Sequence, residues 1–151
     1  MDDRPAPARA LFTMAIVSIS MPCPNCGAAM LEFPVEPAVR DRLPEDRPGA
    51  SICRRCLTVR PVDDPPSDYP DFRTIDEAFP TAGSDAAVLA SILALVDSPA
   101  LYRQEIDALA SIAERRGIDV MLFLDRIARN ESLEIAFDLD RRRSQLEQIL
   151  E

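Results

Sequence analysis

Cys23-Pro24-Asn25-Cys26-Gly27 and Cys53-Arg54-Arg55-Cys56, with the 26 residues 27–52 between them, decide how the front of this chain folds. A CxxC pair points two sulfurs at one ion from a single tight turn. Two such turns facing each other complete a tetrahedron, and no cysteine is left over. The spacing predicts a four-thiolate metal site in a zinc-ribbon module at residues 21–60. Structural zinc is the expected ion, and iron in the same four sulfurs, as in rubredoxin-like electron carriers, is the alternative. Phe33 is the only aromatic residue between Cys26 and Cys53, which leaves iron without the aromatic shell such sites usually have.

Gly27 supplies the left-handed turn after the first knuckle, and Pro24 stiffens it. Leu57 stands where the matching glycine is expected after the second, so the direction of its N–H groups toward sulfur is open. Ala29 to Val35 reads as a strand with Leu31, Phe33 and Val35 on one face, and Pro34 places it at a sheet edge. Residues 36–50, with Pro37, Pro44 and Pro48, read as a long exposed loop. Ile52 and then Leu57, Val59 and Pro61 form the returning strands. So short a segment rarely buries enough apolar surface alone, which makes the metal its expected staple.

Before the ribbon, residues 1–20 hold a polar start and an apolar run from Ala10 that is too short to span a bilayer. Asp2 and Asp3 offset Arg4 and Arg9, and no clean cleavage site follows. The expectation is an extension that is disordered or mis-annotated, with translation starting at Met14 or Met21 rather than Met1. An added strand or helix packing on the ribbon is the alternative.

After the ribbon, residues 61–82 read as a Pro- and Asp-rich linker, semi-rigid where Pro61, Pro65, Pro66 and Pro70 crowd. Tyr69, Phe72, Ile75 and Phe79 are unusual in a free linker and are expected to tack it onto one module. Residues 83–151 read as a bundle of about four helices. Leu89, Ile92, Leu93 and Val96 share a helical face. Ser98 and Pro99 look like an N-cap and first position, followed by Leu101, Ile106, Leu109 and Ile112 facing inward. Arg115, Arg116 and Gly117 end that helix, and Asp119 caps a third with Val120, Phe123, Leu124 and Ile127 inward. Leu133, Ile135, Phe137 and Leu139 alternate as a strand would, but no partner strand is evident. The stretch is therefore taken as helical or irregular, leading into a last helix over 141–150. The fold class is a small β zinc ribbon plus an all-α bundle, α+β overall and segregated along the chain.

Composition excludes much chemistry. Histidine is absent, so Ser-His-Asp, Cys-His and His-containing metal sites are impossible. Four dispersed glycines make neither a P-loop nor a dinucleotide fingerprint. No pair of carboxylates stands out in an apolar setting, so the chain reads as non-enzymatic. The net charge is -9 and all 17 basic residues are arginine. Residues 21–60 carry six Arg against five acids, whereas 61–151 carry nine Arg against 19 acids, or -10. A general nucleic-acid binder shows a basic field, and this chain does not. Protein is the expected partner, nucleic acid the less favoured one, and no membrane is involved; the expected location is cytoplasmic. Arg54, Arg55 and Arg60 are candidate partner contacts, with solvated charges the simpler reading. For Arg141, Arg142 and Arg143, pairing within the helix to Asp138 and Asp140 is the economical account.

Met-Pro-Cys-Pro-Asn-Cys-Gly at 21–27, Cys-Arg-Arg-Cys at 53–56, the Asp-Pro linker and Phe-Asp-Leu-Asp-Arg-Arg-Arg at 137–143 resemble a small uncharacterised haloarchaeal family with a zinc ribbon followed by helices. The resemblance covers residues 21–151 and implies a bound metal, this fold and a salt-loving source, but no activity. Lysine-free, acid-rich composition is similar to that of proteins working in molar salt, where self-repulsion among carboxylates is screened.

Overall fold

Two prolines mark the edges of a three-stranded antiparallel sheet in the computed structural model, which describes residues 21–150. The expectations for residues 1–20 lie outside the described residues. Strand β1 (Met30–Pro34) pairs with the central β2 (Gly49–Cys53), which pairs in turn with β3 (Val59–Val62). Val35 N–H donates to Pro48 O, so by antiparallel alternation Pro34 turns its missing donor away from β2. Prolines at Pro34 in β1 and Pro61 in β3 blunt both edges against further pairing.

Register assigns the two faces. Leu31 opposes Ile52, Phe33 opposes Ala50, and Val59 opposes Ile52, forming the face that enters the core. Met30, Glu32, Ser51, Cys53 and Arg60 take the opposite face. Residues 36–50 are not wholly loop: Pro37–Arg40 forms one helical turn, α1, which buries Val39. Pro37 at its first position presets the helical φ, and the buried Val39 anchors the turn in the main core.

The helical half contains α2 (Gly83–Leu95), α3 (Arg103–Arg115), α4 (Val120–Ala128) and α5 (Leu139–Ile149), the four helices expected. Helix α2 lies along α3 and against β3, and α4 lies along α5. Helix α2 is not amphipathic as the Leu89-Ile92-Leu93-Val96 stripe suggests. Its whole stretch from Ala86 to Leu93 is buried, because neighbours cover it on several sides and its alanines let them approach. Helix α3 starts later than Ser98-Pro99 predicts. Ser98 N–H bonds Leu95 O and Tyr102 N–H bonds Ser98 O, so Ser98 closes the turn after α2 while its carbonyl opens the next turn, and the regular helix begins only at Arg103. Leu101, expected inward, is consequently 72% exposed.

The other helix signals agree with the structure. Gly117 N–H bonds Glu114 O, and Ile118 N–H bonds Ala113 O, with Gly117 at φ +80; this doubly bonded stop needs the left-handed residue that glycine supplies. Asp119 accepts from Leu122 N at 3.0 Å and caps α4 as expected; Asp138, not singled out as a cap from the sequence, accepts from Arg141 N at 3.1 Å and caps α5.

One hydrophobic core joins sheet and helices. Phe33, Ile52 and Leu57 from the front share it with Leu89, Ile106, Phe123, Ile127 and Leu146 from the helices. Between them, the stretch 61–82 contributes Phe72, Ile75 and Phe79, with a short 3-10 turn at Phe72–Thr74. A run of rings crosses the molecule: Phe33 meets Phe72 edge-on at 5.2 Å, Phe72 stacks on Phe79 at 5.5 Å, and Phe79 meets Phe123 edge-on at 4.9 Å. Two glycines mark where this stretch presses home. A Cβ on Gly49 would strike the ring of Pro65, and one on Gly83 would strike Tyr69. At the surface, Glu36 grips Arg116 with both carboxylate oxygens, at 2.6 and 3.1 Å, and Asp85 lies 3.5 Å from the same guanidinium, tying the front to the ends of α3 and α2.

Candidate metal centre

The two knuckles repeat one backbone design. Cys23 N–H donates to Ala28 O at 2.8 Å, and Cys53 N–H donates to Thr58 O at 2.9 Å. Each loop thus closes from its first cysteine to the residue five positions on. The residue after each second cysteine is left-handed: Gly27 at φ +81 and Leu57 at φ +64. Leu57 therefore takes the glycine's conformation despite its Cβ. Its side chain is only 1% exposed and belongs to the main core, so apolar burial holds a backbone geometry that L-residues resist. Arg54 N–H bonds Ala29 O at 3.0 Å and fastens one knuckle to the other.

This frame brings the four sulfurs of Cys23, Cys26, Cys53 and Cys56 to within 4.8 Å of one another. The close contacts run between knuckles, Cys26 to Cys53 at 3.4 Å and Cys23 to Cys56 at 3.6 Å. A tetrahedron with metal–sulfur bonds of about 2.3 Å has edges of about 3.8 Å. The donor set and its spacing therefore fit one tetrahedral ion. All four cysteines are free thiols, and only Cys26 is not fully buried.

Hydrogen bonds aim at three of the sulfurs. Asn25 N–H lies 3.3 Å from Cys23 Sγ, and the N–H groups of Arg55 and Cys56 each lie 3.4 Å from Cys53 Sγ. Cys56 Sγ has the Thr58 hydroxyl at 3.0 Å and the Asn25 side-chain amide at 3.6 Å. Burial raises the Cys56 thiol, but the hydrogen bonds from Thr58 and Asn25 more than reverse this and bring it down to about 6. Burial wins at Cys53, pushing it up to about 12. At Cys23 burial also opposes ionisation, and N–H groups of Cys26 and Asn25 lower the thiol despite it. Sulfurs this close share protons, and a cation is what lets all four be thiolates together.

A further support comes from far along the chain. Glu134 N–H donates to Arg55 O at 2.8 Å, and Ala136 N–H donates to Cys56 O at 3.0 Å. The alternation over 133–139 is thus real, with Leu133, Ile135, Phe137 and Leu139 turned inward and Glu134, Ala136 and Asp138 outward. The stretch is irregular in the sense that it pairs with no strand among the described residues, but its partner is the second knuckle itself. Asn25, Thr58 and this clamp are the supporting residues that motif spacing does not reveal; the alternation was the one signal for the last.

Arg54, Arg55 and Arg60 are exposed, and their guanidiniums form no hydrogen bond or ion pair among the described residues. Arg54 and Arg55 sit on the knuckle, whereas Arg60 is on the outward face of β3. Arg142 and Arg143 do not pair only within their helix. Arg143 reaches Asp125 on α4 at 2.9 Å as well as Asp140 at 3.4 Å, since α4 packs along α5, and Arg142 reaches Asp97, just past the end of α2, at 3.2 Å. No helix among the described residues is long and apolar enough to cross a membrane.

A family model described as a family of unknown function (DUF6276) matches residues 22–150, and the chain belongs to that family. No curated protein and no solved structure matches it.

Proposed function

We propose that this DUF6276 protein holds one structural Zn²⁺ through Cys23, Cys26, Cys53 and Cys56 and works as a non-enzymatic adaptor in the cytoplasm, with protein rather than nucleic acid as its partner. The observation that carries the metal is the convergence of four sulfurs, spaced for a tetrahedral ion, on two turns of matching backbone geometry. Zinc is favoured over iron by what packs beside the sulfurs: Met30 and Ala28, with no aromatic ring among the described residues. Phe33, the one ring in this part of the sequence, is taken up by the main core instead.

The adaptor reading is supported by what the surface presents. Arg54 and Arg55 stand on the knuckle, Arg60 stands on the sheet, and Leu101 and Leu122 are exposed among the helices. A net charge of -9 disfavours general nucleic-acid binding. The same acid surplus fits a chain that works in high salt, in keeping with a haloarchaeal source.

Native mass spectrometry with elemental analysis tests the metal. One zinc per chain is expected. A red protein with visible charge-transfer absorption and one iron would make it an electron carrier, and a chain carrying no ion would remove the reading altogether. Affinity capture in molar salt tests the adaptor role; recovery of no protein that depends on Arg54 or Arg55 would overturn it.

A further inference from the structure

The four sulfurs are not equivalent, and the difference has a chemical consequence that rests on the zinc reading above. Cys23, Cys53 and Cys56 are buried, and each accepts from at least one donor besides sulfur. Cys26 is partly exposed, and its sulfur meets only Cys53 Sγ, with no N–H or O–H donor among the described residues. Hydrogen bonds to a metal-bound thiolate withdraw electron density from it, and burial shields it. The sulfur lacking both keeps the most charge and the most access, and reactivity follows those two properties.

We propose that Cys26 is the modification site of the centre, the sulfur that soft electrophiles and peroxides attack first, and that its oxidation ends in a disulfide to Cys53 across the two knuckles. With hydrogen peroxide as oxidant, a lone pair of the Cys26 thiolate attacks one oxygen. An S–O bond forms, the O–O bond breaks and hydroxide leaves, giving a sulfenic acid. Cys53, whose sulfur lies 3.4 Å away, then attacks the Cys26 sulfur. The S–S bond forms, the S–O bond breaks and a second hydroxide leaves, so two thiolates supply the two electrons the peroxide accepts. The ion loses two of its four ligands in the process. Sequence proximity alone would pair Cys23 with Cys26, or Cys53 with Cys56.

The test uses the full chain loaded with zinc, its content checked by native mass spectrometry before treatment. Limiting N-ethylmaleimide is added to one sample and limiting hydrogen peroxide to another, with zinc release followed by a chromogenic indicator. Cleavage after Arg54 and Arg55 separates Cys53 from Cys56, and fragmentation separates Cys23 from Cys26. The expected first adduct is on Cys26, the expected first disulfide joins Cys26 to Cys53, and each event is accompanied by loss of one zinc from that chain. First adducts spread over the four cysteines, or a first disulfide within either CxxC pair, would overturn the inference while leaving the zinc centre standing. A chain that takes up no zinc overturns both.

Discussion

Leu57 offers the sharpest test of how this fold is held, because two effects oppose each other there. Its φ of +64 costs an L-residue about 1–2 kcal/mol, yet its side chain is 1% exposed within the core that joins sheet and helices. Truncating a fully buried leucine to alanine costs about 2–5 kcal/mol, so burial outweighs strain and leucine is retained. Leu57→Ala loses the side chain and keeps the strain. Leu57→Gly loses the same side chain and sheds the strain, while giving back about 0.4–1 kcal/mol through a freer unfolded chain. Glycine should therefore be the better of the two by about 1 kcal/mol, the reverse of the usual order, with both clearly below the wild type. Urea unfolding followed by circular dichroism, at one fixed free-zinc concentration, reads this directly. With a slope of about 2 kcal/mol per molar, the two variants should have midpoints about 0.5 M apart. Leu57→Gly matching or exceeding the wild type would mean that strain, not burial, dominates. Leu57→Ala surviving better than Leu57→Gly would mean that the position is not left-handed.

Phe79→Ala removes the ring linking Phe72 to Phe123 and should cost about 3–5 kcal/mol, with sheet and helices still unfolding in one transition; calorimetry resolving two transitions would refute the shared core. Chelating the metal should expose to hydrogen exchange not only the sheet but also the Glu134 and Ala136 amides, and continued protection of those two would show the clamp independent of the knuckle. The loaded fold holds its sulfurs deprotonated, so it binds fewer protons than the unfolded chain. The metal's contribution therefore grows with pH and is lost as pH falls, which titration of zinc release will show. Glu36→Gln breaks a half-exposed ion pair with Arg116 and should cost no more than about 1 kcal/mol. Raising salt should stabilise both forms by screening the acidic helical half, and a melting temperature that falls with salt would contradict this.

Local rules made much of this protein readable before any coordinates. The two CxxC pairs located the four cysteines that converge, Pro34 identified an edge strand, and Asp119 and Gly117 marked a helix start and a helix end. Each works over a few residues, through a turn, a cap or a missing N–H, and such geometry is carried by the residues themselves. Ser98 and Leu101 show where this stops: Ser98 sits between the turn that ends α2 and a further turn, and the helix itself starts only at Arg103.

What the tertiary structure alone decided is whatever depends on residues distant in sequence arriving at one place. The ring contacts of Phe72 and Phe79 needed β1 and α4 beside them. The alternation at 133–139 had no meaning until the carbonyls of Arg55 and Cys56 appeared opposite it. Leu57 looks like a missing glycine in sequence and is a core residue in space, since a side chain's burial is set by what packs on it and its backbone preference only by itself.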